Sequence, residues 1–225
     1  MLRVGLTGDL GSGKSTVARM LAERGAVVFS SDEMGRALMQ PGQPVFAEIV
    51  ERFGPGVVAA DGSLDRKKLA ALAFDRANPR VEELNAIVHP AVIAAQAEQL
   101  AALAVKRPDA IAVVESALIF STRYGSTKYG PGGSWRERFD RVVLVTAPEE
   151  QKVARFVDRA AAGRELSSEE RAAIEADARR RLAVQRNDEY SGDCLVLHND
   201  GDIEQLEVQV EAVWRELPGI KSQQV

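Results

Sequence analysis

The chain has 225 residues, of which 45% are hydrophobic and 28% are charged, as in an ordinary globular protein with a substantial core. Its formal net charge of −4 argues against a surface that binds nucleic acid or an anionic membrane, and no apolar run is long enough to span a bilayer. A single cysteine excludes an internal disulfide framework and a cysteine-rich zinc site. Because the first apolar run leads straight into a glycine-rich motif, we expect no secretory signal and a cytoplasmic location.

The first elements predicted along the chain form a β-α-β unit. An apolar run at residues 4–7 predicts a buried strand, and apolar residues at helical spacing predict a helix at 16–23 that ends near Gly25. A second apolar run at 26–29 predicts another strand. Two strands joined by a helix in this way imply a parallel sheet with a right-handed crossover.

The middle of the chain is predicted to be mainly helical. Residues 32–103 carry helical patterns that are broken at Pro-Gly and Asp-Gly pairs. Pro90 lies inside the last of these stretches, where we expect the helix to kink or restart. A strand is predicted at 110–115, and the glycine-rich stretch at 121–134 is predicted as a surface loop.

The remainder of the chain alternates strands and helices again. Apolar runs at 141–146 and 195–197 predict strands. The Ser-Ser-Glu-Glu sequence at 167–170 has the capping-box pattern and begins a helix that reaches about residue 186. Apolar residues along one face predict a closing helix at 206–217. This alternation favours an α/β fold with a doubly wound parallel sheet.

One motif after the first predicted strand carries specific chemistry. It fits the phosphate-binding pattern G-x-x-x-x-G-K-S without substitution, and its residues are Gly8, Asp9, Leu10, Gly11, Ser12, Gly13, Lys14 and Ser15. The glycines let backbone N–H groups point at an anion, and the helix that follows adds its positive dipole end. Lys14 supplies a full charge for the β- and γ-phosphates, and the Ser15 hydroxyl can ligate Mg²⁺. The motif therefore predicts a site for a purine nucleoside triphosphate.

Two acidic residues follow predicted strands on the same side of the sheet. Ligands of a doubly wound sheet bind beyond the carboxyl ends of its strands, so we expect Asp32 and Glu115 to face the nucleotide. Asp32 can accept the proton of an attacking hydroxyl, help to hold Mg²⁺, or do both, and it can also cap the helix that follows. Glu115 is a candidate for a second carboxylate near the metal, with a plain surface glutamate as the alternative.

Arginines late in the chain suit a lid over the phosphates. Arg155, Arg159 and Arg164 border a small Ala/Gly turn ahead of the capped helix, whose own arginines fit a solvated face. We expect Arg159 to act on the transferred phosphate. Spacing alone favours a cap or kink role for His89 and assigns no role to Arg66.

Taken in order, these motifs resemble those of the dephospho-coenzyme A kinase family. The family typically reads G-L-T-G-G-I-G-S-G-K-S at its phosphate motif, which is similar to the sequence here. The resemblance continues through Ser31-Asp32-Glu33, through Leu64-Asp65-Arg66, through L-N-A-I-V-H-P at 84–90 and through H-N-D-G at 198–201. It spans residues 3–217, so it covers almost the whole chain.

The resemblance implies ATP-dependent transfer of a phosphoryl group to the ribose 3′-hydroxyl of dephospho-coenzyme A, the last step in making coenzyme A. It implies a single P-loop kinase unit at 1–217 with a core, a helical substrate-binding region and a lid, followed by a flexible tail. Those parts lie at about residues 1–31, 108–150 and 190–217 for the core, 32–107 for the helical region, 155–187 for the lid and 218–225 for the tail.

Residue by residue, the resemblance implies that Asp32 is the base and a magnesium ligand beside Ser15. It extends the triphosphate cradle to Thr16. The expected substrate-side residues are Asp32, Arg66, His89 and Glu115, and Asn199 and Gly201 are expected near the adenine.

The sequence departs from the family pattern at four places. Asp9 stands where a glycine is usual, and it adds a negative charge beside the phosphates. Ser30 replaces the first acid of a D-x-D pattern, and Ser121 replaces a glutamate. The loop at 125–133 is longer than is typical. Most of these changes fall on the substrate and lid side of the expected site, and none removes a fixed residue of the phosphate motif.

Two other functions remain open at this stage. The nearer one is a different small-molecule or nucleoside monophosphate kinase on the same core. The other is a nucleotide-switched binding protein, against which the chain has no N-K-x-D guanine-reading motif. We expect a small-molecule substrate, no nucleic-acid or membrane partner, and a monomer or small homo-oligomer.

Overall fold

The computed structural model describes residues 1–75, 77–120, 134–185 and 187–217, and the chain forms two compact units. The first, which we call the sheet unit, comprises Met1–Phe29, Arg107–Ser121 and Phe139–Val225. The second, which we call the helical unit, comprises Ser30–Lys106 and Thr122–Arg138.

Within the described residues the sheet has five strands, and each lies where an apolar run predicted one. They are β1 (Leu2–Gly8), β2 (Val27–Ser30), β3 (Ile111–Glu115), β4 (Arg141–Thr146) and β5 (Leu195–His198). Their order is β2-β3-β1-β4-β5, with β1 parallel to both β3 and β4 and with β4 parallel to β5. The central strands are buried on both faces, as expected for a parallel sheet that is covered by helices.

Helices connect these strands, and four of them lie between β2 and β3. In chain order they are α1 (Lys14–Glu23), α2 (Ser31–Leu38), α3 (Pro44–Phe53), α4 (Arg66–Ala73), α5 (Val81–Lys106), α6 (Trp135–Arg138), α7 (Glu149–Ala161), α8 (Ser168–Leu182) and α9 (Ile203–Glu216). In the sheet unit, Val17 and Leu21 of α1 pack with Leu206 and Val210 of α9 in the cluster that contains Leu6 of β1. The apolar face predicted for the closing helix is therefore confirmed, and it covers the sheet.

The capping box predicted for the lid helix is also present. The Ser167 hydroxyl accepts a hydrogen bond from the Glu170 backbone N–H at 3.1 Å, and a Glu170 carboxylate oxygen accepts one from the Ser167 N–H at 2.9 Å. The helix ends at Leu182, earlier than the predicted end near residue 186. Beyond this end the chain turns, and the side chain of Gln185 reaches the phosphate loop.

The helical unit has its own apolar core. Val45 and Ile49 of α3 pack with Ile87 and Ala91 of α5. Helix α5 runs as one element through Pro90, so the restart expected there does not occur. Because Pro90 and the apolar residues around it are buried, tertiary packing outweighs the missing backbone hydrogen bond of the proline.

One helix among the described residues, α5, is long and apolar enough to cross a membrane by length and composition alone. The core helix of a globular domain meets the same criterion, and α5 buries Ile87, Ile93 and Leu100. Its length and composition are therefore weak evidence for a membrane span.

Candidate active site

The phosphate motif folds as a loop between β1 and α1. Gly11 and Gly13 have φ angles of 74° and 101°, in the left-handed region that glycine adopts without strain. Both glycines are also closely covered: a Cβ on Gly11 would overlap the backbone carbonyl of Lys152, and a Cβ on Gly13 would overlap the side-chain amide of Asn199. Substitution at either position would therefore distort the loop.

Polar groups converge on the inside of this loop. Lys14 donates hydrogen bonds from Nζ to the carbonyl oxygens of Gly8 at 2.8 Å and Asp9 at 2.9 Å, so its ammonium lies over the loop. The Ser12 hydroxyl is buried and makes no hydrogen bond among the described residues. Thr16 lies in the first turn of α1, whose unsatisfied N–H groups favour an anion. This arrangement fits a bound triphosphate.

The loop serine meets an acid from the neighbouring strand. Ser15 Oγ donates a hydrogen bond to Glu115 Oε1 at 2.9 Å, and Glu115 is the last residue of β3. A hydroxyl and a carboxylate are the oxygen ligands that Mg²⁺ takes beside phosphate and water. Within the described ranges no group of three or more His, Cys, Asp and Glu side chains lies together, so a metal here would depend on phosphate and water for its other ligands.

The charge of Asp9 is neutralised within the protein. Its carboxylate is 8% exposed, accepts a hydrogen bond from Lys152 Nζ at 2.5 Å, and accepts another from Asn187 Nδ2 at 2.9 Å. The negative charge expected beside the phosphates is therefore turned toward a buried ammonium. Asp9 can serve the nucleotide through its backbone.

Two more residues of the phosphate loop, Leu10 and Gly11, form hydrogen bonds with side chains of the second half of the chain. Leu10 donates its backbone N–H to Gln185 Oε1 at 2.8 Å, and its side chain packs against the apolar cluster of α7 and α8. Arg155 of α7 donates hydrogen bonds to the carbonyl oxygens of Gly11 at 3.4 Å and of Asn199 at 3.0 Å. The outer side of the phosphate loop is thus held by residues near both ends of the lid region.

Asn199 contacts the phosphate loop. Its side chain is buried and donates from Nδ2 to the Ser12 carbonyl oxygen at 2.8 Å, and its backbone N–H bonds to the Thr146 carbonyl oxygen. Gly201 lies in the exposed turn between β5 and α9. The expected position of Asn199 and Gly201 near the adenine stays a prediction, because the contacts of Asn199 show its place beside the phosphate loop and not its distance from a base.

The predicted lid at 155–187 contains the second half of α7, a left-handed turn and α8. Ala162 and Gly163 form the turn, with φ angles of 50° and 82°. Arg179 of α8 pairs with Glu149 and Glu150 in the first turn of α7, at 2.8 Å and 2.9 Å, and lowers the pKa of Glu150 below its usual value. Arg179 therefore joins α8 to α7, whereas the ion pairs of Arg180 and Arg181 are with Asp177 of α8 itself.

Arg159 differs from these arginines. It lies in the last turn of α7 with an exposed side chain, and in the described part of the chain it makes no hydrogen bond or ion pair. Arg155, one turn earlier on the same helix, is committed to the carbonyl oxygens of the loop and of Asn199. Of the two, Arg159 has the free guanidinium.

Three other expected site residues belong to the helical unit. Asp32 lies in the first turn of α2 with an exposed carboxylate, and the cap of that helix is Ser30, whose hydroxyl accepts from the Glu33 N–H at 3.3 Å. The alternative that Asp32 is the helix cap is therefore wrong: Ser30 has the extended backbone of a cap residue, and Asp32 is already helical. Arg66 is exposed at the first position of α4.

His89 lies within α5 and is half-buried. Burial lowers the pKa of its imidazole below the ordinary value of 6.5, against a smaller opposing effect of the Glu82 charge. The neutral form of its ring is therefore more strongly favoured than in an ordinary histidine. The cap or kink reading of His89 is not supported, because the helix continues on both sides of it.

Ser121 and the loop at 125–133 lie outside the described residues, as do Arg186 and the tail at 218–225. Within the described residues, the site contains three side chains that sequence reasoning did not assign to it: Lys152, Gln185 and Asn187. Arg155, expected in a lid over the phosphates, instead bonds to the carbonyl oxygens of Gly11 and Asn199. One signal pointed to such a residue, since an acidic side chain inside a phosphate loop requires a cation close by.

Comparison with known proteins shows the family of this chain. The family model of dephospho-CoA kinase, CoaE, matches residues 2–205. A dephospho-CoA kinase of Streptomyces avermitilis is 38% identical over 218 residues, which cover 96% of this chain and 94% of that protein. One of Leifsonia xyli subsp. xyli is 38% identical over 225 residues, which cover 97% of this chain and all of that protein.

Solved structures agree in fold. TT1252 from Thermus thermophilus is 30% identical with a TM-score of 0.65, over 96% of this chain and 97% of that one. The dephospho-CoA kinase from Campylobacter jejuni is 18% identical with a TM-score of 0.56, over 96% of both chains, which supports the fold alone. Because the family model matches residues 2–205 of this chain and curated relatives are 38% identical over nearly all of it, the chain belongs to the dephospho-CoA kinase family.

Proposed function

We propose that this protein transfers the γ-phosphoryl group of ATP to the ribose 3′-hydroxyl of dephospho-coenzyme A, giving coenzyme A and ADP. The observation that carries the proposal is a complete phosphate loop whose Ser15 hydroxyl is bonded to Glu115, in a chain of this family. The alternatives of another small-molecule kinase or a nucleotide switch are not favoured, because the relatives match along their whole length as dephospho-CoA kinases.

In this proposal the phosphate loop binds the triphosphate. Backbone N–H groups of residues 11–16 surround the β- and γ-phosphates, and the N-terminus of α1 adds its dipole. Lys14 leaves the carbonyl oxygens that it contacts and moves its ammonium to the phosphates, where it opposes the charge of the transferred group.

Mg²⁺ would be held by Ser15 Oγ, with Glu115 beside it and Asp32 as a further carboxylate. When bound, the ion neutralises charge on the β- and γ-phosphate oxygens. The hydrogen bond between Ser15 and Glu115 keeps both oxygens in place for that task.

Asp32 acts as the base. It accepts the proton of the 3′-hydroxyl as the hydroxyl oxygen bonds to the γ-phosphorus, while the bond from that phosphorus to the β–γ bridging oxygen breaks and ADP leaves with the electron pair. Support comes from the exposed carboxylate of Asp32, which no hydrogen bond or ion pair engages within the described residues of its own unit.

The remaining expected residues bind substrate and exclude water. Residues 32–107 would hold the acceptor through Arg66 and His89, and the lid at 155–187 would place Arg159 on the transferring phosphate. Asn199 and Gly201 would border the adenine. We expect the enzyme to act in the cytoplasm as a monomer or small homo-oligomer.

A coupled assay of ADP release from ATP with Mg²⁺, with and without dephospho-coenzyme A, tests this function. We expect ADP release to depend on the acceptor. Release at the same rate without acceptor would contradict the proposal, and so would release that depends on a different hydroxyl compound in a panel of acceptors.

A further inference from the structure

The phosphate loop of this protein contains an acidic side chain at its second position. A carboxylate beside a triphosphate repels it, and this repulsion is stronger within a protein than in water because the protein screens charge less. The loop can therefore bind ATP well only if the charge of Asp9 is neutralised.

A buried cluster provides this neutralisation. Lys152 Nζ donates a hydrogen bond to Asp9 Oδ2 at 2.5 Å, and Asn187 Nδ2 donates one to the other carboxylate oxygen, Asp9 Oδ1, at 2.9 Å. The side chains of Lys152 and Asp9 are each 8% exposed, and Asn187 is 5% exposed as a residue. The ion pair is thus shielded from water. Removing either partner would leave the other as an uncompensated buried charge.

The cluster also connects the loop to the chain just before the predicted lid at 155–187 and to the last residue of that range. Lys152 lies in the first part of α7, and Asn187 follows α8 after a short turn. The neighbouring loop residues have partners in the same region, since Leu10 bonds to Gln185 and Gly11 lies against the backbone of Lys152. The position of the loop amides is therefore set by α7 and by the chain just after α8.

We infer that Asp9, Lys152 and Asn187 form a positioning cluster for nucleotide binding. Lys152 acts as the counter-ion of the loop carboxylate and not as a phosphate ligand, and the pair of Asp9 with Lys152 fixes the outer side of the loop to α7. A substitution that removes the charge at position 152 must then be matched by one that removes the charge at position 9, if ATP affinity is to be kept. The inference rests on the proposed function only in requiring that the loop binds ATP.

Two single variants separate this role from a purely structural one. Lys152→Met leaves a carboxylate beside the triphosphate, so the dissociation constant for ATP with Mg²⁺ should rise about tenfold or more. Asp9→Asn leaves an ammonium there instead, so the dissociation constant should change by no more than a few-fold although the fold is less stable. If the pair had only a structural role, Lys152→Met and Asp9→Asn would weaken ATP binding to the same extent.

The double variant Asp9→Asn/Lys152→Met should return the dissociation constant to within a few-fold of wild type, because it removes both charges. The pair of Arg3 with Asp140, at 2.7 Å near the amino ends of β1 and β4, is the matched control. Arg3→Met should lower the melting temperature and leave ATP affinity unchanged. If Lys152→Met does not fold, Lys152→Gln removes the charge with a polar side chain.

Titration calorimetry with ATP and Mg²⁺ measures the dissociation constant of each variant, and thermal unfolding measures its stability. Wild-type affinity in a folded Lys152→Met or Lys152→Gln protein would overturn the inference, as would a double variant that binds no better than the single Lys152 variant. No acceptor is present in these titrations, so a failure to phosphorylate dephospho-coenzyme A would not imitate either result.

Discussion

Ser15 and Glu115 lie 100 residues apart in the chain, and the Ser15 hydroxyl donates a hydrogen bond to the Glu115 carboxylate at 2.9 Å. The contact joins the end of the phosphate loop to the carboxyl end of β3. In a doubly wound sheet this edge is where ligands bind. The pair is therefore the part of the described site that most directly predicts metal dependence.

Glu115→Gln should weaken the response to Mg²⁺. The amide keeps the size of the side chain but removes the charge, so the Mg²⁺ concentration for half-maximal activity should rise about 10- to 100-fold. Activity measured as a function of Mg²⁺ at saturating ATP checks this. Glu204→Gln, an exposed change in the first turn of α9, is the control, and equal responses in the two variants would contradict a metal-side role for Glu115.

Asp32→Asn should lower kcat about 10²- to 10⁴-fold, because an amide cannot accept the proton of the acceptor hydroxyl. The melting temperature should change little, since the side chain is exposed and Ser30 caps the helix. Steady-state kinetics compared with Glu33→Gln, on the same helical turn, make the test. Turnover within a few-fold of wild type would show that Asp32 is not the base.

Arg159→Ala should lower kcat by about 10³-fold with a smaller change in the KM for ATP, as expected for a cation that acts on the transferred phosphate. Arg171→Ala is a suitable control, because Arg171 is exposed on α8. Its i,i+4 ion pair with Glu175 is long, at 3.9 Å, so little stability is lost with it. Steady-state kinetics of both variants give the comparison. If the two lose similar activity, the lid arginine has no specific role.

His89 predicts a pH dependence of stability. Its pKa is lower when folded than the ordinary value of 6.5, so below pH 6.5 the unfolded chain binds more protons and the free energy of unfolding falls as the pH is lowered. His89→Gln lacks this contribution. The stability of wild type relative to His89→Gln should therefore fall from about pH 7.5 to about pH 5 in urea titrations. A constant difference would show that the imidazole keeps its ordinary pKa.

Much of the fold could be predicted because its determinants are local. The strands are short apolar runs between turns, and the capping box at Ser167 follows directly from residue spacing. The phosphate loop is likewise a continuous motif. The restart predicted at Pro90 was wrong, because the packing that carries α5 through the proline lies outside any local pattern.

The site was less predictable because its partners are distant in sequence. Lys152 is 143 residues from Asp9, and no spacing rule connects them. The cap of α2 was assigned to the wrong residue, since Ser30, Ser31 and Asp32 all have capping chemistry and backbone geometry selects among them. The residues alone left the acceptor open, and resemblance along the whole chain supplied it.

The most direct test of the account follows the phosphate itself. The protein is incubated with dephospho-coenzyme A, Mg²⁺ and ATP labelled at the γ-phosphate, and the products are separated and identified by mass and phosphorus NMR. The account predicts that the label appears in coenzyme A as a 3′-phosphomonoester, in step with ADP. Label found only in inorganic phosphate, or at another hydroxyl, would contradict it.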